Sequence, residues 1–151
     1  MSTDRLILDD FLPYRLSYSA NLVSDTIARA YDALFGLTIP EWRVVAVVAE
    51  SSGVTQAAIG QKTRMDKVTV SRAAIALVDR GLLVREKHPE DRRAHQLALS
   101  AAGRELYRAV APKALELERM IFAQIDAEEL KRFVATLRRI DALAEEVATA
   151  I

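Results

Sequence analysis

Asp66-Lys67-Val68-Thr69-Val70-Ser71-Arg72 is the stretch on which the fold turns. It opens a helix. Asp66 is a side-chain cap for the first backbone N–H groups, and the pattern runs to Arg80, where Gly81 ends it. Val70, Ala74 and Leu77 fall at i, i+4 and i+7 and make one buried stripe. Around Val70 the first two turns carry Lys67, Thr69, Ser71 and Arg72, while Ala73, Ala76 and Val78 follow further on. The polar groups therefore gather at the N-terminal end. Lysine and hydroxyl groups suit phosphate oxygens, and arginine can hold guanine with two hydrogen bonds. An ordinary solvated helix could carry similar residues, so the surrounding elements decide between the two readings.

Upstream lies a short helix from Thr55 to about Gln61. Thr55 caps it, Ala58 and Ile59 face inward, and Gly60 with Lys62-Thr63-Arg64 makes the turn into the Asp66 helix. Before it, Thr38-Ile39-Pro40-Glu41 has the spacing of a capping box, with proline in the first turn. Trp42, Val45, Ala46 and Ala49 give that helix its apolar face, and Ser51-Ser52-Gly53 stops it. A first long helix spans about Leu12 to Phe35, with Leu12, Leu16, Val23, Ile27 and Leu34 on one face and Gly36 closing it. Downstream, the runs Leu82–Lys87 and His95–Leu99 read as strands joined by a charged tip, His88–Ala94. Ser100 caps a further helix containing Leu106, Val110, Leu117 and Ile121, with a kink expected at Pro112. Asp126 opens the last helix. Leu130, Phe133, Leu137, Ile140, Ala144 and Val147 recur there at a 3.5-residue period, the spacing of a seam against another helix. All five glycines read as punctuation between elements.

The 151 residues make one domain by length, and 51% apolar with 28% charged residues is a globular composition. Without cysteine there are no disulfides, thiolate nucleophiles or cysteine zinc sites. His88 and His95 are the only imidazoles, so no metal and no cofactor is expected, beyond adventitious binding at the two histidines with Asp91. No Gly-rich phosphate loop, G-x-S-x-G or H-E-x-x-H occurs, and the carboxylates sit on caps and solvated faces, which argues against an enzyme. No apolar run approaches the roughly 18 residues of a membrane span. Met1-Ser2-Thr3-Asp4-Arg5 has no basic segment leading into an apolar one, so the expected location is the cytoplasm.

Helix, helix, helix, helix, hairpin, helix, helix is the layout of a winged helix-turn-helix. The expected fold is mainly α with a small β-hairpin wing. A helix fits a major groove about 12 Å wide. At the wing tip, Asp91-Arg92-Arg93 sets an acid beside two arginines, and narrow minor grooves attract arginine. Asp91 is expected to orient Arg93 from within the loop. Thr55, Gln56, Lys62 and Arg64 complete the expected DNA-facing set. Lys plus Arg number 21, as do Asp plus Glu, so the net charge is zero, which argues against a nucleic-acid binder when taken whole. Read by segment, residues 54–95 hold nine Lys/Arg against five acids, +4, and the rest of the chain carries −4. The field near a duplex follows that local distribution.

From Leu37 to about Gly103 the chain resembles the MarR family (multiple antibiotic resistance regulators). The resemblance rests on Leu37-Thr38 with Trp42, Val54-Thr55-Gln56, Asp66 to Arg72, Leu77-Val78-Asp79-Arg80-Gly81-Leu82-Leu83, Asp91-Arg92-Arg93 and Leu97-Ala98-Leu99-Ser100-Ala101-Ala102-Gly103 in that order. Ile59-Gly60 departs from the Leu-Ala usual there. The resemblance implies a winged lobe over 37–100 and dimerisation helices over 10–36 and 100–151. It implies a homodimer on a pseudo-palindromic operator, with Arg93 entering the minor groove. It also implies repression relieved by a small effector between the dimerisation helices and the lobe. Leu12 and Leu16 join the seam of the last helix as expected dimer residues.

Tyr14, Arg15, Ser17, Tyr18 and Asn21 on the first helix and Trp42 and Arg43 on the second are the expected effector residues. Aromatic rings beside arginine suit a phenolic carboxylate or its acyl thioester, although rings at helical spacing also pack cores. The other function the fold would serve is a protein-interaction module that does not bind DNA.

Overall fold

The computed structural model describes residues 4–51, 53–91 and 93–151. After a 3-10 turn at Leu8–Asp10 come α1 (Leu12–Phe35), α2 (Ile39–Glu50), β1 (Val54–Thr55), α3 (Gln56–Thr63), α4 (Lys67–Asp79), β2 (Leu83–Lys87), β3 (His95–Leu99), α5 (Ala101–Phe122) and α6 (Ala127–Ala150). The chain divides into two compact units, Met1–Leu115 and Glu116–Ile151, and α5 crosses the division.

Local chemistry sets the helix ends. Pro13 sits in the first turn of α1, where its missing N–H costs nothing. At the other end Gly36 takes φ 61°, and its N–H donates to the Asp32 carbonyl at 3.0 Å. Leu37 N–H reaches back to the Tyr31 carbonyl at 3.3 Å and completes the closure. The capping box on α2 forms as its spacing predicts. Thr38 Oγ1 accepts from Glu41 N–H at 3.2 Å, and the Glu41 carboxylate accepts from Thr38 N–H at 2.8 Å. Asp126 accepts from both Glu128 and Glu129 N–H at the start of α6.

The core of the first unit forms where α2 crosses α3, α4 and the sheet. Leu37, Val44, Val45, Val48, Ile59, Val70, Leu77, Leu83, Leu97 and Val110 are fully buried. Each such side chain contributes about 1.5–3 kcal/mol relative to exposure. The buried face of α2 is Val44, Val45, Val47 and Val48, with Trp42, Ala46 and Ala49 only half-buried. This corrects the face read from the sequence, because a helix apolar nearly all round has no unique stripe.

The sheet has three strands in the order β1-β3-β2, all antiparallel, rather than the two of a simple hairpin. Val54 pairs with Leu97, which also faces Arg85 across the hairpin. β1 is two residues long and depends on a partner more than forty residues away.

Two glycines are not punctuation. Gly60 lies inside α3, and a Cβ there would stand 3.2 Å from the Met65 carbonyl oxygen. The turn into α4 falls instead at Arg64, with φ 59°. Gly103 lies in the first turn of α5, where a Cβ would come within 2.0 Å of the Leu82 carbonyl oxygen. Only hydrogen fits between that helix and the chain entering β2. Ser100 stitches the same junction. Its hydroxyl accepts from Gly103 N–H at 3.0 Å and donates to the Gly81 carbonyl at 2.6 Å. α5 continues unbroken through Pro112.

The second unit contains the end of α5 and all of α6. No residue of α6 is buried. An apolar groove of about 620 Å³ runs between the two helices, lined by Phe122, Ile125, Leu130, Phe133, Val134 and Leu137 among others. No helix among the described residues is long and apolar enough to cross a membrane.

Candidate nucleic-acid interface

Thr55 caps α3 by accepting from Ala58 N–H at 3.1 Å, and Gln56 is the first residue of that helix. Lys62, near its end, is ion-paired with Glu50 of α2. Arg64 is exposed on the turn. Then α4 begins. Asp66 Oδ1 accepts from Thr69 N–H at 2.7 Å. That bond, and next the Thr69 hydroxyl, hold the Asp66 carboxyl below the ordinary aspartate range, with a smaller contribution from the Arg72 guanidinium. The cap is thus a carboxylate at neutral pH, at the positive end of the helix dipole.

Val70, Ala73, Ala74 and Leu77 are buried, so the opposite side of α4 is free. Lys67 and Arg72 are exposed there, and Thr69 and Ser71 are half-buried at the edges of that face. Its middle holds two residues absent from the expected set: Val68, 57% exposed, and Ile75, 50% exposed. They lie one helical face away from the buried stripe, and that geometric signal was available in the sequence. An exposed valine beside Lys67 and Arg72 offers the apolar contact that a thymine methyl accepts in a major groove.

The wing loop is closed by its own main chain. His88 N–H donates to the Ala94 carbonyl at 3.1 Å, and Ala94 N–H to the Asp91 carbonyl at 3.2 Å. Asp91 Oδ1 accepts from the backbone N–H of Arg93 at 3.0 Å. Asp91 therefore orders Arg93 through its main chain and leaves the exposed side chain to project. Arg92 lies outside the described residues. His88 Nδ1 accepts from Glu90 N–H at 3.1 Å, so this imidazole serves the loop.

The expected effector residues fall into separate groups on α1 and α2. Tyr14, Arg15 and Tyr18 cluster at the start of α1, with the Arg15 guanidinium 5.2 Å from the Tyr18 ring centre and 3.0 Å from Asp9. Ser17 and Asn21 are exposed on the same helix. Trp42 belongs to a separate stack. Its ring lies 5.8 Å from Tyr31 edge-on and 5.8 Å from Tyr107 face-on. Burial raises the Tyr31 hydroxyl pKa above the ordinary tyrosine value. Arg43 is exposed on α2. The open cleft nearest this stack, about 420 Å³, has α2, β3 and α5 for walls, and Arg104, Tyr107, Arg108, Val48 and Leu99 line it among others. None of the expected effector residues lines that cleft. Tyr107 and the two arginines escaped the sequence reading because α5 was read only for its apolar stripe.

A short two-helix turn, a polar-edged second helix and a closed charged hairpin define a winged helix-turn-helix of the DNA-binding kind. The model of the MarR family matches residues 35–94. A transcriptional regulator of Escherichia coli O111:H-, HosA, is 26% identical over 113 residues, 75% of this chain and 84% of that protein. The crystal structure of a probable transcriptional regulator from Pseudomonas aeruginosa superposes with a TM-score of 0.80 at 28% identity, over 89% of this chain and 99% of that one. Bordetella bronchiseptica BpsR, whose DNA binding is described as regulated by 6-hydroxynicotinic acid, matches in fold with a TM-score of 0.83 at 20% identity, over 91% and 97% of the two chains. Residues 35–94 thus match the MarR family, and over three quarters of its length the chain is similar to a transcriptional regulator.

Proposed function

We propose that the protein is a homodimeric repressor of the cytoplasm that binds a pseudo-palindromic operator and releases it when a small aromatic acid or acyl thioester binds. The observation that carries this reading is the placement of Lys67, Thr69, Ser71 and Arg72 on the exposed side and edges of α4, with Arg93 projecting from a closed wing. In this reading α4 enters the major groove and Arg93 the minor groove. Thr55, Gln56 and Arg64 meet phosphates, Asp91 and Arg92 complete the tip, and Lys62 contributes only while it is not held by Glu50. Residues 37–100 form the DNA-binding lobe, and 10–36 and 100–151 the dimerisation arms. Support for dimerisation comes from apolar residues exposed on both terminal helices. Leu12 is 70% exposed, Leu16 37%, Phe133 50% and Val147 60%. Leu130, Leu137, Ile140 and Ala144 extend that seam.

For the effector, the cleft lined by Arg104, Tyr107 and Arg108 beside Val48, Ala49 and Leu99 supports an aromatic carboxylate, with Arg104 also donating to the Leu99 carbonyl at 3.2 Å. The Tyr14, Arg15, Ser17, Tyr18 and Asn21 surface is a second anion-and-ring patch on α1, while Trp42, in the stack with Tyr31 and Tyr107, and the exposed Arg43 complete the residues proposed for the effector. Protection mapping on the gene's own upstream region tests the DNA reading. Affinity for the protected duplex should fall steeply with salt, as phosphate contacts require. Arg93→Ala should weaken it by about 1–3 kcal/mol while the protein stays folded. A salt-independent or unaltered affinity would refute the reading and favour a protein-interaction module.

A further inference from the structure

We propose that Arg80 is a positioning residue that braces the recognition helix against the end of α1, and thereby sets the separation of the two recognition helices in the dimer. The inference rests on the dimeric DNA-binding reading above. Arg80 is the C-terminal cap residue of α4. Its guanidinium does not project to solvent as a free cation. Nη1 donates to the Gly36 carbonyl at 3.0 Å and Nη2 to the Phe35 carbonyl at 3.2 Å. Those carbonyls lie at the last turn of α1, where helix carbonyls lack partners and the dipole is negative. α1 has no basic residue of its own in that turn. The cation it lacks comes from another helix, more than forty residues away.

The location makes the contact a brace. α1 reaches α2 through only Gly36, Leu37 and Thr38, with Gly36 in the left-handed conformation and Leu37 fully buried. α2 in turn packs on α4. The direction of α1 relative to the lobe is set where its last turns meet α2, by this short junction and the Tyr31–Trp42 contact, and Arg80 spans the junction from the α4 side. A planar guanidinium that meets two carbonyls fixes angle as well as distance, which a lysine ammonium cannot do. If α1 lies at the dimer interface, its angle to α4 determines where the partner's α4 falls on the duplex.

The test uses the full-length protein and the duplex protected by it upstream of its own gene. Variants of that duplex carry one base pair inserted or deleted at the centre. Wild type should lose at least about tenfold in affinity on either variant, because each turns one half-site by about a tenth of a helical turn. Arg80→Ala and Arg80→Lys, both dimeric by light scattering, should lose less than about threefold on the same variants. A half-site duplex should bind all three proteins alike. The brace is overturned if the variants keep the full wild-type penalty, or if they weaken on every duplex by one common factor, as a merely structural role would produce. Arg80→Lys keeps charge at the helix end and decides the matter should Arg80→Ala not fold. A wild-type chain that is monomeric or fails to bind the upstream duplex removes the dimeric reading itself, a result separate from the behaviour of the variants.

Discussion

The two units of the chain differ in how complete they are. In the first, α2, α3, α4 and the sheet bury a continuous set of aliphatic side chains, and each of those three helices starts at a side-chain cap. In the second, α6 runs 24 residues without one buried side chain, and a groove rich in leucine and phenylalanine stands open. One unit thus closes its own core and the other does not. Soluble proteins rarely leave such apolar surface uncovered, and where they do it marks a site of association.

The largest effect should come from Gly103→Ala, which forces a methyl into the space held by the Leu82 carbonyl. A loss of about 3 kcal/mol or more is expected by urea unfolding, since backbone must move to relieve it. A stability within error of wild type would show that the lobe is less tightly closed than its geometry implies. Next, a matched pair tests the contrast directly. Leu77→Ala in the lobe core should cost about 2–5 kcal/mol. Val147→Ala on α6 should change lobe unfolding by less than about 0.5 kcal/mol, while shifting the sedimentation equilibrium toward monomer. Equal effects on unfolding would erase the distinction between the two units.

The smallest effect belongs to Asp66. Its folded pKa is lowered, so its contribution is fully present above the usual aspartate value of about 3.9 and is lost as pH falls through the lower folded value. The melting-temperature difference between wild type and Asp66→Asn should hold constant from pH 7 to about pH 5 and shift against wild type only below about pH 4. A difference that changed around neutral pH would assign the dependence to another group.

Features set by near neighbours in the chain were legible in the sequence. The box at Thr38 and Glu41, the caps at Thr55, Asp66, Ser100 and Asp126, and the closure at Gly36 each need only three or four residues to be specified. What was not legible depends on distant partners. β1 exists because Val54 meets Leu97. Gly60 and Gly103 are required by the Met65 and Leu82 carbonyls, which no local pattern announces. Periodicity could not separate Trp42, which stacks between Tyr31 and Tyr107, from Tyr18, which remains half exposed on α1. On the exposed side of α4 the polar residues are legible in the sequence and Val68 and Ile75 are not, because an exposed valine looks like core until the opposite face is known to be filled.

Arg64 carries a consequence for how stability and activity trade against each other here. It is the only described residue other than glycine with positive φ, a conformation that costs roughly 1–2 kcal/mol for a residue with a Cβ. Glycine would take the same turn without strain. A chain shaped for thermal endurance alone would place glycine between α3 and α4. This one keeps an exposed guanidinium there, so the lobe gives up stability at the position where a positive charge stands next to the start of α4, the helix proposed to read DNA.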